Sequence, residues 1–136
     1  MATRRICLDT TFLIYFLRGK KNAVKKAEEL ENQDVELCTT AINAFELYLG
    51  ACSSKNPKRR INDVRDLLAD LTILNVDEKA AEESAKLLSI LTSKGKMIDI
   101  RDALIAGTML VNDCYAIVTK NVRHFKRISD IKVETY

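Results

Sequence analysis

Three acidic residues stand nearly alone in stretches that otherwise read as protein interior. Charged residues make up 30% of the chain, yet Ile6 to Leu17 contains only Asp9, and Leu37 to Ser54 only Glu46. Asp102 opens the run DALIAGTMLVN, which meets no further charge until Asp113. Acidic side chains are rarely buried without a partner or a cation. Two carboxylates ~5 Å apart repel by roughly 3 kcal/mol at an effective dielectric near 20, so three mutual pairs would cost about 10 kcal/mol. Carboxylates brought together respond by raising a pKa or by taking up a metal ion. No Cys/His set competes for the ligand role, and oxygen-only ligation points to Mg2+ or Mn2+. The chemistry implied is that of a divalent-metal carboxylate site, on condition that the three segments converge.

Each acid also has a structural role open to it. Asp9 lies just past a short apolar strand, where open α/β sheets form their sites, and is equally placed to cap a helix. Glu46 has Ile42, Asn43, Leu49 and Gly50 as its helix neighbours, so no intrahelical lysine or arginine can pair with it; the alternative is a lone exposed glutamate. Asp102 begins an apolar helix and would favour the macrodipole there. Asp99, three residues earlier, is either a further ligand for the same cation or the cap of that helix.

The elements that must position these residues follow from the apolar pattern. A strand is expected at Arg4 to Leu8, then a helix with Thr10, like Asp9, as a candidate cap and Gly19 as its stop. Lys20 to Asn32 has helical periodicity, Val35 to Cys38 reads as a strand, and Thr39 or Thr40 caps a helix from Ala41 to Cys52. Pro57 opens a helix reaching Asp70. Leu71 to Val76 is the third strand, and Asp77 caps a long helix that runs to Ser93 and ends at Gly95. Asp99 to Asn112 is an apolar helix, Tyr115 to Val118 a fourth strand, Asn121 to Arg127 a short turn or helix, and Ile131 to Val133 an edge strand. Strands alternating with helices argue for a parallel sheet covered on both faces.

The 136 residues are sufficient for one domain with a single core, and 47% hydrophobic content with mixed charge argues against disorder. A net charge of +3 permits a polyanionic partner without demanding one. Cys7, Cys38, Cys52 and Cys114 lack metal-site spacing and sit in apolar runs, so they are expected to be buried and reduced, as in a cytoplasmic protein. No apolar run resembles a signal peptide or a membrane span.

The blocks LDTTFLI, TTAINAFELYLGA, GKMIDIRDALIAGTML and VTKNVRHF together resemble the PIN-domain family, in particular the VapC-type ribonuclease toxins of prokaryotic toxin–antitoxin pairs. The resemblance covers nearly the whole chain. It implies a three-layer α/β/α fold with a central parallel sheet of four or five strands, residues 1–136 forming one such domain. It also implies RNA cleavage with Mg2+ or Mn2+, and it matches Asp9, Glu46 and Asp102 to the family's core acids. A cognate antitoxin that blocks the acidic pocket and a homodimer are further implications. The chain departs from the family pattern at Thr11, where Asn is common, and at Asn121 and His124, where many members carry a fourth acid. Asp99 is the candidate substitute.

Several residues are candidates to hold substrate. Thr119 can hydrogen-bond a metal-bound water or a phosphate, or simply end a strand, and Asn121 can ligate through its carbonyl without contributing charge. Lys96, Arg101, Lys120 and Arg123 lie near the motifs and can contact phosphates, with Lys55, Lys58, Arg59 and Arg60 as a more distant patch. Solvated helix faces explain most of the lysines equally well. His124, the only histidine, is read as an exposed or partly packed side chain with no catalytic role.

Competing functions fit less well. A haloacid-dehalogenase-type phosphatase would use Asp9 as its nucleophile, but Thr11 occupies the second acidic place of D-x-D-x-T/V. A phosphoacceptor domain would need an acid beside Asp9. A non-catalytic PIN-like module binding RNA or protein is the stronger rival, because the fourth acid is missing.

Overall fold

A computed structural model describes residues 3–136. Its sheet contains β1 (Arg4–Leu8), β2 (Val35–Thr40), β3 (Thr72–Leu74), β4 (Cys114–Val118) and β5 (Lys132–Glu134). The spatial order is β3-β2-β1-β4-β5, and every adjacent pair is parallel. The connecting helices are α1 (Thr10–Leu17), α2 (Lys21–Glu31), α3 (Ala41–Cys52), α4 (Pro57–Ala69), α5 (Glu78–Ser93), α6 (Ile100–Val111) and α7 (Val122–Phe125).

Two cores lie on opposite faces of the sheet, and the period-2 alternation of the central strands divides their side chains between them. Ile6, Leu8, Ala116 and Val118 pack with Phe12, Leu13, Leu30, Leu47, Val64 and Leu68 from α1 to α4. Cys7 and Ile117 face the other way, against Leu91, Ala103, Ile105, Ala106 and Met109 of α5 and α6 and Phe125 of α7. The three-layer parallel arrangement therefore has the expected architecture, with five strands.

Local chemistry sets the boundaries. Thr40 caps α3 by accepting from the Asn43 N–H, Asp77 caps α5 through the Ala80 N–H, and Pro57 occupies the first turn of α4. Gly95, at φ +70, ends the turn after α5 in the left-handed region that suits glycine. One open choice is settled and one expectation is corrected. The cap of α1 is Asp9 rather than Thr10, since the Asp9 carboxylate accepts from the Thr10 N–H at 2.9 Å. The third strand stops at Leu74, because it pairs only with β2 through Leu74 and the chain then turns toward the Asp77 cap.

Among the cysteines, Cys7, Cys38 and Cys114 are buried as expected, whereas Cys52 at the end of α3 is exposed. All four are free. Burial pushes the Cys38 thiol up to about 12 and Cys114 up to about 11, and it raises Cys7 well above the usual range. Thiolate is the reactive form. A maleimide reagent applied to the native protein should therefore modify Cys52 alone, with the other three reacting only after unfolding. Rapid native labelling of a second cysteine, read by mass spectrometry, would contradict this packing.

Candidate active site

The strand order reverses at β1, with β2 and β3 built to one side and β4 and β5 to the other. Such a switch point leaves a crevice at the carboxyl ends of the strands. Asp9 enters it directly from β1, and its N–H donates to Val118 O at the end of β4. Thr119, the next residue, donates its hydroxyl to Asp9 Oδ2 at 2.6 Å. Asp9 and Thr119 are both buried, so this bond is made away from bulk water.

Glu46 reaches the crevice from α3, in the second turn beyond the Thr40 cap. Asn43, buried on the same face, donates Nδ2 to Asp9 Oδ1 at 2.7 Å. Its amide is oriented by the Thr40 hydroxyl, which donates to Asn43 Oδ1. The Thr10 hydroxyl donates to Glu46 Oε1 at 2.6 Å and thereby ties α1 to α3. Asp102 projects from the first turn of α6 and is only 1% exposed. Its Oδ2 accepts from Asn121 Nδ2 and lies 2.8 Å from His124 Nδ1.

The three isolated acids therefore meet. At their centre lies the guanidinium of Arg101: Nη2 is 2.9 Å from Asp9 Oδ1 and 2.7 Å from Glu46 Oε1, Nε is 2.8 Å from Glu46 Oε2, and Nη1 is 2.7 Å from Asp102 Oδ1. One positive charge faces three carboxylates, which leaves two negative charges in excess. Burial works against the arginine's charge, but Glu46 and Asp9 outweigh it and hold the guanidinium above its ordinary range. The sequence reading gave Arg101 an outward role toward phosphate; in the structure it points inward, because the acids are its strongest available partners.

Burial also pulls Glu46 upward, yet the hydrogen bonds from Arg101 and Thr10 prevail and hold its carboxyl below the ordinary 4.5. A lowered folded-state pKa contributes stability that is complete above the unfolded value and vanishes as pH falls through the folded one. Urea denaturation between about pH 6 and pH 3 should show the wild type losing stability faster than Glu46→Gln on acidification. Parallel curves would contradict the linkage.

The remaining candidates separate. Asp99 occupies the cap position of α6 without capping it through its side chain, and it is exposed. Together Asp99, Asp102 and His124 bring one potential ligand atom each within 4.8 Å of one another. Lys120 lines the 450 Å3 pocket over Asp9, Glu46, Arg101 and Asn121, although its ammonium donates to Tyr136 O and lies 4.4 Å from the centre of that ring. Lys96 and Arg123 are exposed and are not joined to the acids by a hydrogen bond. Arg59 and Arg60 line a separate, larger groove that Glu46 also borders.

Sequence reasoning missed Thr10, Asn43 and His124 as parts of the site. For Asn43 a signal existed, since it lies three residues before Glu46 and therefore shares its helix face. His124 lies three residues after Asn121 and shares Asp102 Oδ2 with it.

A hard divalent cation suits this donor set. Three carboxylates from three different elements already gather on one positive group, and their oxygens are the ligands that Mg2+ and Mn2+ prefer.

The family model for the PIN domain matches residues 6–131. The chain belongs to the PIN domain family. Across 95% of its length this PIN domain is 30% identical to Ribonuclease VapC2 of Haemophilus influenzae, covering 96% of that protein. It is 28% identical to the tRNA(fMet)-specific endonuclease VapC of Salmonella typhimurium, with 97% of the chain and 98% of the relative covered. Among solved structures, VapBC2 from Rickettsia felis bound to a DNA fragment from their promoter matches at TM-score 0.83 and 25% identity, covering 97% of this chain and 98% of that one. DNA-bound VapBC from Salmonella typhimurium also matches at TM-score 0.83, with 28% identity and 98% of each chain covered.

Proposed function

We propose that this PIN domain is an endoribonuclease of the VapC kind, the toxin of a VapBC-type pair, hydrolysing RNA phosphodiester bonds with Mg2+ or Mn2+ in the cytoplasm. The observation that carries the reading is the convergence of Asp9, Glu46 and Asp102 on one cationic position at the switch point of the sheet. Whole-length relatives named ribonucleases support it.

In this reading Asp9, Glu46 and Asp102 hold the cation, with Asp99 at the edge of the same cluster. When bound, such an ion supplies a water of lowered pKa and stabilises negative charge on the phosphate. Thr119 and Asn121 fix the outer oxygens of Asp9 and Asp102, as hydrogen-bonding supports around a metal centre do. Lys120 at the pocket, with Lys96 and Arg123 exposed, is available for substrate phosphates. Residues 1–136 act as one domain.

The partner protein is an antitoxin, and the 730 Å3 groove lined by Ile14, Leu17, Leu47, Val64 and Leu67 is a suitable seat for an apolar segment. That groove reaches Glu46, so its occupant can also cover the acids. A homodimer is supported by exposed Phe45 and Leu49 on α3, Met97 before α6 and Ile100 at its first position.

The purified protein should cut RNA in the presence of Mg2+ or Mn2+ and stop when EDTA is added. RNA binding without cleavage in either metal would replace this reading by that of a non-catalytic module. Arg101 favours that second reading to the extent that it already neutralises part of the acidic cluster.

A further inference from the structure

Arg101 engages the inward oxygens of all three acids at once. The outer oxygens are engaged separately, Asp9 Oδ2 by Thr119 and Asp102 Oδ2 by Asn121 and His124. The oxygens that face one another across the site, Asp9 Oδ1, Glu46 Oε1 and Oε2, and Asp102 Oδ1, are the ones Arg101 holds, so a cation shared by the three carboxylates would draw on them. A guanidinium and a divalent ion cannot both use them, because like charges a few ångströms apart repel strongly in a partly buried site.

Nothing in the helix accounts for this placement. Arg101 is the second residue of α6, at the positive end of the macrodipole, where a cation is disfavoured. The acids are what hold it there. Its side chain is still 32% exposed and lines the open pocket, so the guanidinium has a path outward without unfolding of the helix.

We propose that Arg101 is an internal counter-ion which competes with the divalent cation for Asp9, Glu46 and Asp102, so that loading the site requires its guanidinium to swing out. This rests on the reading of the cluster as a metal centre and adds what controls its affinity. Metal binding is then weakened by the fraction of molecules in which Arg101 remains docked. Arg101 is a positioning residue: it keeps three carboxylates gathered in the metal-free protein and sets the threshold for loading.

The test is Mn2+ titration of the wild type and Arg101→Met, following free Mn2+ by electron paramagnetic resonance. The variant should bind more tightly, by about 5- to 150-fold, the usual range for coupling between two ligands. Equal or weaker binding by a folded variant overturns the competition while leaving the metal centre intact, since the wild type still binds. Absence of binding in both proteins overturns the competition and the metal-centre reading together. Exposing three carboxylates endangers folding, so a second measurement uses the wild type alone. Side-chain NMR of 15N-labelled arginine should show protected Arg101 Nη signals without metal that disappear at saturating Mg2+. Signals unchanged by Mg2+ overturn the proposal.

Discussion

Asp9→Asn is expected to reduce metal-dependent RNA cleavage at least about a hundredfold, at the upper end of what losing even a supporting group of a metal site costs. The fold should persist, for a specific reason. An asparagine can keep Oδ1 as acceptor for the Thr10 N–H, Asn43 Nδ2 and Arg101, while turning its amide toward Thr119. The Thr119 hydroxyl, which now donates to Asp9 Oδ2, can accept instead. Only the charge is lost. Asp102→Asn should behave alike, since its Oδ1 can stay on Arg101 while its new amide donates to Asn121 once that side chain turns its own carbonyl inward. The check is a cleavage assay on folded variants, confirmed by circular dichroism and freed of contaminating nuclease. Undiminished cleavage by either variant would remove the acids from the chemistry.

The second large effect concerns stability. Gly107 of α6 lies against Ser84 of α5, and a Cβ there would stand 2.0 Å from Ser84 Oγ, 2.6 Å from Ser84 N and 2.7 Å from Ser84 Cα. The last two atoms are backbone, so no rotamer change relieves the clash and the helices must separate. Gly107→Ala should cost about 3 kcal/mol, the upper end of ordinary overpacking, and lower Tm by about 10 °C. Adding Ser84→Ala should not restore stability. Gly50, inside α3 with open space around its Cβ position, provides the contrast: Gly50→Ala should stabilise by about 0.5–1 kcal/mol. A Tm for Gly107→Ala close to that of the wild type would mean that α5 and α6 are not packed this closely.

The fold was largely legible in the sequence because its signals are local. Caps at Thr40 and Asp77, Pro57 at a first turn, and Gly95 after α5 each act within a few residues. The cap of α1 stayed open between Asp9 and Thr10 because both are good capping residues, and only coordinates reveal that the Asp9 carboxylate accepts from the Thr10 N–H. The isolation of Asp9, Glu46 and Asp102 among apolar neighbours marked them as site candidates, most clearly for Glu46, which has no charge to pair with in its own helix. Their partner, Arg101, was hidden in plain view. A guanidinium at the start of a helix reads as solvent-facing, and its inward turn depends on two residues 92 and 55 positions away. His124 was hidden for the same reason, since its approach to Asp102 spans 22 positions.

The direct test of the metal centre is a crystal of the protein soaked in Mn2+ and measured for anomalous scattering. A peak within coordination distance of Asp9 and Asp102, with the Arg101 guanidinium displaced from the carboxylates, is the result expected. A map without a peak at that position, with Arg101 still bridging Asp9, Glu46 and Asp102, would contradict it.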